Sequence, residues 1–392
     1  MNILFVLYYD FSTSSAIHVH NFANALQEQG NDCVVTVPLN KEEAGAWIGK
    51  DIRYRSEDYK DVIDPSFSFS NGRGPDIIHA WTPREIVRKQ CVRLKSKYPD
   101  CGVVVHLEDN EDVILAKNLG LPTEFLELIP DELLNEITPE ALSHYRHYKK
   151  FLEAADGVTI IIDKLLDFVP EDKPHFLLWP IVDMEKFHGH GNNHRIDRTT
   201  REDLGVKSDD FVICYTGSVH SVNYREVRSL YLAVALANRE GLSVRLIRTG
   251  RNEYDFLSDN DKWVRKYCIE LGSVERDMIP TYLSAADLLI QPGRNDQFNA
   301  FRLPSKIPEF LSMQRAVAIP NTNIGRYLKD KKEVVLLKRG DSLDILAAIK
   351  LLKENESLRK RIAFGARCFA IDNFDKKKII NNLLRFYQKV IR

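Results

Sequence analysis

Short runs of β-branched and aliphatic residues alternate with longer amphipathic stretches along almost the whole chain. This alternation is typical of α/β folds, in which parallel strands are joined by helices. The predicted strands of the first half are residues 3–7, 33–37, 77–80, 103–106, 158–162 and 176–178, and those of the second half are residues 211–215, 243–247, 268–271, 288–290, 316–319 and 334–336. The pattern predicts an α/β protein with two Rossmann-like, doubly wound domains in tandem.

A polar segment without apolar periodicity, residues 180–208, separates the two series and predicts the domain boundary. We expect one domain over residues 1–185 and a second over residues 186–370. Residues 371–392 predict a final amphipathic helix that packs against a domain. Because ligands of doubly wound sheets bind beyond the carboxyl ends of the strands, we expect the site in a cleft that the two domains face.

Composition excludes several classes of protein. The net charge of −1 provides no overall field for nucleic acid. The first residues, MNILFVLYYDF, lack a basic region and a cleavage site, so they predict a first strand and not a signal peptide. Six scattered cysteines without a Cys-x-x-Cys pair predict reduced thiols. These features together predict a cytoplasmic protein without a membrane span.

The most informative segment is residues 283–320, where a buried strand, a polar loop, a helix and a second strand follow one another. Lys306 and Glu309 fall in the first turn of the helix. A helix start offers backbone N–H groups and a positive dipole end to a phosphate, and a carboxylate there accepts hydrogen bonds from sugar hydroxyls. The same residues are also ordinary at a helix start, and from this segment alone both interpretations stay open.

The run ADLLIQPG, followed by RLPSKIPEFLSMQRAVAIPN, resembles the donor-site signature of retaining glycosyltransferases with the GT-B fold, family 4 (glycosyl transferases group 1). Weaker motifs extend this resemblance over essentially the whole chain. It implies an acceptor-binding domain at 1–185, a nucleotide-sugar donor-binding domain at 186–370, and a helix at 371–392 that crosses back to the N-terminal domain.

In the N-terminal half the resemblance implies roles for four residues. Ser14 and Ser15 lie where the family often has adjacent glycines that approach the donor phosphates. Their hydroxyls are candidates for donor binding, although a serine cluster after a strand also serves as a helix cap. His106, at the end of a strand, matches the family histidine that lies beside the transferred sugar. Asp109 is a weaker candidate on the same loop.

In YTGSVHSVNYREV, Gly217 matches the first glycine of the family's donor domain, and Ser218 stands where the family has an arginine. The family also has a lysine about one turn later that this chain lacks. Arg225, Arg302 and Lys306 are candidates to replace these two cations against the diphosphate. For Arg225, a solvated position on a surface helix is the competing interpretation.

The remaining donor positions follow in sequence order. LIRTGRN resembles the loop that carries the family's second donor-domain glycine, here Gly250, and the resemblance of the next loop implies that the backbone of Val274 recognises the base. Of the family's two glutamates, Glu309 matches the one that holds the ribose, whereas Phe301 replaces the other. Asn299 is then a candidate for the sugar, or part of a solvated loop.

The implied function is retaining transfer of a sugar from a nucleoside-diphosphate sugar to a glycan or lipid-linked acceptor, in the synthesis of a surface polysaccharide or glycolipid. His106, Lys306 and Glu309 form the implied catalytic set, with neither a cofactor nor a metal. The basic stretch from Arg84 to Lys97 predicts peripheral contact with the inner face of a membrane, or a solvated face. The alternatives are a catalytically silent binding or scaffold subunit, which would bind the donor nucleotide weakly or not at all, and a GT-B sugar epimerase, which would need acid/base carboxylates in the cleft.

Overall fold

The computed structural model describes residues 1–189 and 194–391. The chain divides into two compact units. The first comprises Met1–Ile181, Phe301–Leu303 and Asp375–Arg392, and the second comprises Val182–Ala300 and Pro304–Phe374. Part of the predicted linker, residues 190–193, lies outside the described residues.

The first unit contains a parallel sheet in the order β3-β2-β1-β4-β5-β6-β7. Its strands are β1 (Asn2–Val6), β2 (Asp32–Val37), β3 (Arg55–Asp58), β4 (Ile77–Trp81), β5 (Gly102–Leu107), β6 (Gly157–Ile160) and β7 (His175–Leu177). The order reverses between β1 and β4, as in a doubly wound fold. Every strand predicted for this half is present. The sequence prediction missed β3, an edge strand of sequence RSED that has no apolar residue to reveal it.

Helices of the first unit are α1 (Ser14–Glu28), α2 (Ala44–Ile48), α3 (Tyr59–Ile63), α4 (Glu85–Lys97), α5 (Glu111–Leu119), α6 (Asp131–Ile137) and α7 (His147–Ala154). Helix α1 begins at Ser14, where the Thr13 hydroxyl caps it by accepting a hydrogen bond from Ala16 N at 3.3 Å.

The second unit has a parallel sheet in the order β10-β9-β8-β11-β12-β13. Its strands are β8 (Phe211–Thr216), β9 (Val244–Thr249), β10 (Cys268–Gly272), β11 (Leu288–Ile290), β12 (Ala316–Pro320) and β13 (Val335–Leu337). All of them were predicted. Two sheets of this order, flanked by helices, confirm the predicted pair of Rossmann-like domains.

The helices that follow are α8 (His194–Asp203), α9 (Tyr224–Arg239), α10 (Ile279–Ser284), α11 (Gln297–Ala300), α12 (Lys306–Ser312), α13 (Ser342–Glu354), α14 (Glu356–Asn373) and α15 (Lys376–Val390). Helix α8 lies in the polar segment 180–208, whose lack of an apolar period did not predict a helix. Ion pairs hold this polar helix where an apolar stripe would be expected: Arg201 pairs with Asp287 at 2.9 Å, and Asp197 pairs with Arg315.

Helix α15 belongs to the first unit, where its apolar face is part of the core that also contains β1 and β2. The Tyr387 hydroxyl of α15 lies 2.7 Å from Nδ1 of the buried His79. None of the helices in residues 1–189 and 194–391 combines the length and the hydropathy that a bilayer span requires.

Candidate active site

Three loops meet at the carboxyl edge of the second sheet. They follow β8, β9 and β10, and they contain Gly217, Gly250 and Val274 respectively. Gly217 N–H donates to Thr249 O at 3.1 Å, and Gly250 N–H donates to Gly272 O at 2.7 Å. The backbone therefore holds the loops side by side at the end of the sheet where doubly wound folds bind ligands.

Close packing explains both glycines. Gly250 has φ +101°, and a Cβ there would lie 2.5 Å from Ser218 N and still closer to the Gly217 carbonyl group. A Cβ on Gly217 would lie 2.6 Å from Lys306 Nζ. The Lys306 ammonium group also lies 4.9 Å from the centroid of the Tyr215 ring. The structure thus brings Gly217, Gly250 and Lys306, which the sequence predicts separately, to one place.

Ser218 connects two of these loops. Its hydroxyl accepts a hydrogen bond from Arg251 N at 3.1 Å, and its carbonyl accepts one from Asn223 Nδ2 at 3.0 Å. The Arg251 side chain donates from Nε to Ser273 Oγ at 3.1 Å. The sequence prediction missed Arg251, although a cation directly after the predicted donor-site glycine Gly250 was a usable signal.

Glu309 lies in α12 and forms an ion pair with Arg276. Arg276 Nη1 donates to Glu309 Oε2 at 3.3 Å, and Nη2 donates to Oε1. The two side chains are only 21% and 10% exposed, so solvent screens the pair weakly. The Arg276 guanidinium also lies 5.1 Å from the centroid of the Phe187 ring. Arg276 was not predicted, because its local sequence, VERDM, resembles a solvated loop.

Asn299 and Arg225 differ in their surroundings. Asn299 is buried, and its Nδ2 donates to Glu226 Oε1 at 2.7 Å. Its backbone carbonyl accepts from Asn323 Nδ2 at 3.0 Å. Arg225 is exposed on the first turn of α9, and its Nε donates to the Tyr224 hydroxyl at 2.9 Å. The Asn299 amide therefore holds its own loop, and sugar binding by Asn299 stays a prediction.

The predicted catalytic residue of the first unit, His106, is fully buried in β5. Its Nδ1 lies 2.8 Å from Thr159 Oγ1, and its ring centroid lies 4.1 Å from that of Trp81. Burial lowers the pKa of His106 to about 3. The imidazole is therefore neutral near pH 7, and its role beside the sugar stays a prediction.

Ser15 and Glu108 belong to a buried polar cluster next to His106. The Ser15 hydroxyl donates to Glu108 Oε2, Trp81 Nε1 donates to Oε1 at 2.8 Å, and His18 Nδ1 lies 3.0 Å from Oε1. Burial alone would raise the pKa of the Glu108 carboxyl, but its bonds to His18 and Ser15 lower that pKa to about 2. Ser15 is thus engaged inside the first unit, whereas Ser14 is the first residue of α1.

Arg302 belongs to the first unit, with Phe301 and Leu303. Burial raises the pKa of the Asp109 carboxyl, and the charge of Arg302 opposes that rise. The structure therefore associates Arg302 with Asp109, and a role for Arg302 in donor binding stays a prediction.

Much of the basic stretch from Arg84 to Lys97 is engaged within the first unit. The Arg84 guanidinium lies 3.7 Å from the centroid of the Tyr8 ring. Arg88 pairs with Glu85 at 2.7 Å, and Lys89 pairs with Glu140 at 2.6 Å. These contacts favour the solvated-face interpretation of α4 over membrane contact.

Three histidines of the predicted linker, His188, His190 and His194, were not expected to bind metal. His190 lies outside the described residues. In the part of the chain that the structure describes, no three His, Cys, Asp or Glu side chains come close enough to hold a metal ion. The absence of a metal in the reaction remains a prediction.

Residues 210–355 match the family model described as "Glycosyl transferases group 1". None of the curated proteins matches the chain in sequence. The chain is similar to the solved structure of HepE from Anabaena in complex with UDP, with a TM-score of 0.71 and 15% identity over 98% of this chain and 99% of that chain. Sucrose-phosphate synthase from Thermosynechococcus elongatus has a TM-score of 0.68 and 12% identity over 100% of this chain and 99% of that one. WaaG, described as a glycosyltransferase involved in lipopolysaccharide biosynthesis, has a TM-score of 0.62 and 15% identity over 97% of this chain and 98% of that one.

The matched segment contains the cluster built above. Gly217, Gly250, Arg276, Lys306 and Glu309 all fall within residues 210–355. At these identities the solved structures establish the fold, and the family model establishes the class of the second unit. The chain has the GT-B fold, and its residues 210–355 form a domain that matches the glycosyl transferases group 1 family.

Proposed function

We propose that this glycosyltransferase moves a sugar from a nucleoside-diphosphate sugar to an acceptor hydroxyl with retention of configuration. The observation that carries the proposal is the Lys306 ammonium group over the Gly217 backbone, at the carboxyl edge of the sheet. A cation beside closely approaching backbone is the arrangement that a diphosphate requires. The UDP found in HepE makes UDP the first nucleotide to test.

In this proposal the donor lies across the three loops of the second unit. Gly217, Ser218 and Gly250 give the diphosphate access to the backbone, and Lys306 compensates its charge. Glu309, whose two carboxylate oxygens keep further lone pairs beyond those that accept from Arg276, accepts hydrogen bonds from the ribose hydroxyls. The backbone of Val274, in the loop after β10, recognises the base.

The chemistry is a displacement at the anomeric carbon in which the acceptor oxygen approaches from the same face of the sugar that the diphosphate leaves, so that the configuration is retained. The acceptor oxygen forms the new bond as the bond from the anomeric carbon to the phosphate oxygen breaks, and the electron pair leaves with the diphosphate. Lys306 stabilises the charge that develops there. The acceptor proton passes to an oxygen of the departing phosphate, so the step needs neither a side-chain nucleophile nor a metal. His106, as a neutral imidazole, orients the sugar.

Four further positions complete the proposed donor site. We assign Ser14, Asn299, Arg225 and Arg302 to the sugar and the phosphates on the resemblance alone. Of these, Arg225 has the exposure that a phosphate contact needs, and Asn299 needs to release Glu226 before it binds the sugar.

For the acceptor we propose a glycan or a lipid-linked glycan of a surface polysaccharide or glycolipid. Large apolar side chains are exposed on the segment between β5 and α7: Phe125 is 50% exposed, Leu128 75% and Leu133 46%. Exposed apolar side chains suit an acceptor with a lipid portion. The role of WaaG in lipopolysaccharide biosynthesis is consistent with this class.

The second candidate function is a silent binding subunit. It is motivated by Ser218 and Phe301, which stand where the resemblance implies an arginine and a glutamate. A silent subunit would lack affinity for the donor nucleotide, whereas the transferase binds it.

A thermal-shift panel of UDP, GDP, ADP, CMP and dTDP separates the two functions. We expect one nucleoside diphosphate to stabilise the wild type, by about 2.7 kcal/mol at 100 times its Kd. Glu309→Gln should abolish most of that shift. The matched control is Glu356→Gln, which removes an exposed carboxylate that pairs with Lys360 in the same unit.

Two outcomes contradict the proposal. If no nucleotide shifts the wild type at millimolar concentration, the silent-subunit function replaces it. If the bound nucleotide supports transfer but NMR of the product shows an inverted anomeric centre, retention is wrong.

A further inference from the structure

Arg248 is a buried arginine that the proposed reaction does not yet use. It lies in β9, and the residue is only 1% exposed. Its Nη2 donates to Gly250 O at 3.2 Å and to Asn252 Oδ1 at 2.6 Å. Its Nε and Nη1 are buried without a hydrogen-bond partner. Within residues 1–189 and 194–391, no carboxylate lies within 4.0 Å of this guanidinium as an ion-pair partner.

The neighbouring acid does not neutralise Arg248 by direct contact. Glu270 is the cross-strand partner of Arg248 in β10. The Glu270 carboxylate instead accepts a hydrogen bond from the Tyr231 hydroxyl at 2.6 Å and lies 3.9 Å from Arg265 Nε. A buried charge without an anionic partner is costly to the fold, although the Phe256 ring, with its centroid 5.9 Å from the Arg248 guanidinium carbon, offsets part of that cost. Features that cost stability are found preferentially at functional sites.

The position of Arg248 connects it to the donor loops. Its guanidinium is bonded to the carbonyl of Gly250, and Gly250 packs directly on the backbone of Gly217. On Gly217 lies the Lys306 ammonium group. One continuous set of contacts therefore runs from Arg248 through the two glycines to Lys306.

We propose that Arg248 supplies the second positive charge of the diphosphate subsite from behind the glycine loops, without touching the substrate. This rests on the proposed function, whose donor subsite it deepens. Ser218 stands where the resemblance implies an arginine. The positive charge that is missing at position 218 is supplied by Arg248, which is bonded to the carbonyl of the adjacent Gly250 loop. Arg248 is thus a positioning residue that acts through the Gly250 carbonyl and through its field.

The size of the effect follows from Coulomb's law. At a separation of ~10 Å and an effective dielectric constant of ~20, one unit charge changes the affinity for each phosphate charge by about tenfold. The same charge has little effect on an uncharged nucleoside. The comparison of UDP with uridine therefore isolates the electrostatic role from a structural one.

The test measures UDP and uridine affinities for the wild type and for Arg248→Lys, Arg248→Gln and Arg248→Met. We expect the Gln and Met variants to bind UDP at least about tenfold more weakly, with uridine affinity unchanged. The Lys variant, which keeps the charge, should stay within about threefold of the wild type for UDP. Arg245→Met is the matched control, because Arg245 lies on the same strand and donates to Lys266 O at 2.8 Å; it should alter neither affinity.

Several results would overturn the inference. Equal weakening of UDP and uridine in the Gln and Met variants would make Arg248 a structural residue, and so would loss of the near-UV circular dichroism of the folded chain in all three variants. If Arg248→Met alone fails to fold, the Lys and Gln variants still compare a retained charge with a removed one. If the wild type binds UDP and every variant binds it equally well, the inference alone fails. If the wild type binds no nucleoside diphosphate, the proposed function fails and this inference falls with it.

Discussion

Gly250→Ala is the sharpest test of the donor loops. The backbone at Gly250 has φ +101°, which an L side chain rarely adopts, and the new Cβ would lie 2.5 Å from Ser218 N. The obstructing atoms belong to the backbone of Gly217 and Ser218, so no side-chain rotation relieves the clash. Backbone strain costs ~1–3 kcal/mol and overpacking another ~1–3 kcal/mol. We therefore expect a loss of about 2–6 kcal/mol of unfolding free energy.

The assay is urea unfolding of the wild type, Gly250→Ala and Gly272→Ala. Gly272 has φ +64°, but a Cβ there would meet no atom within 4 Å, so this control carries only the backbone strain of ~1–2 kcal/mol. Gly250→Ala should also lose UDP binding, because it displaces the loop of Gly217. Equal stability of the two variants, with UDP binding retained in both, would refute the close packing of these loops.

Three further changes test other contacts. In a double-mutant cycle of Arg276→Gln and Glu309→Gln, the two changes in the free energy of unfolding should be coupled by about 0.5–3 kcal/mol. A coupling of zero in urea unfolding would show that the ion pair does not stabilise the fold. The pKa of His106 is about 3 in the folded chain and ~6.5 when unfolded, so the unfolded state binds the proton first as pH falls. The wild type should lose stability from pH 6.5 toward pH 3, by up to ~1.4 kcal/mol per pH unit from this group, and His106→Gln should flatten the slope; identical slopes between pH 7 and 5 would contradict the burial argument. Tyr387→Phe removes the hydroxyl 2.7 Å from His79 Nδ1 and should lower the free energy of unfolding by about 1–2 kcal/mol, while UDP binding stays intact. An unchanged free energy of unfolding would show that this hydrogen bond does not help to hold α15.

The apolar periods of the sequence located all of the strands except β3, because buried parallel strands are continuous apolar runs. Strand β3 was not predicted, because its RSED sequence has no apolar run. It lies at the edge of the sheet, where backbone pairing with β2 is enough to form the strand. Helix α8 was not predicted either, because it has no apolar stripe and is held by ion pairs. Its stability depends on Arg201 and Asp197, whose partners Asp287 and Arg315 lie far along the chain.

In the candidate site, too, features of the local sequence were predicted and contacts between distant segments were not. Gly217, Gly250 and Lys306 were predicted because each lies in a short segment that resembles a donor-site motif of the family, and such a motif is visible in the local sequence. Pairs between distant segments were not predicted: Arg276 and Glu309 are 33 residues apart, and Ser15 and Glu108 are 93 residues apart. A local pattern predicts the secondary-structure element in which a residue lies, whereas the tertiary fold determines which atoms its side chain contacts.

The charge of the proposed donor subsite illustrates why contacts between distant segments matter for function. Along the sequence the chain lacks an arginine at position 218, and this suggests a site too weakly charged for a diphosphate. In the fold, Lys306 lies over Gly217, Arg251 N bonds the Ser218 hydroxyl, and the Arg248 guanidinium bonds the Gly250 carbonyl. A diphosphate responds to the summed field of these charges and not to the sequence position of any one of them. A cation missing from a motif is therefore evidence of inactivity only when the three-dimensional surroundings fail to replace it.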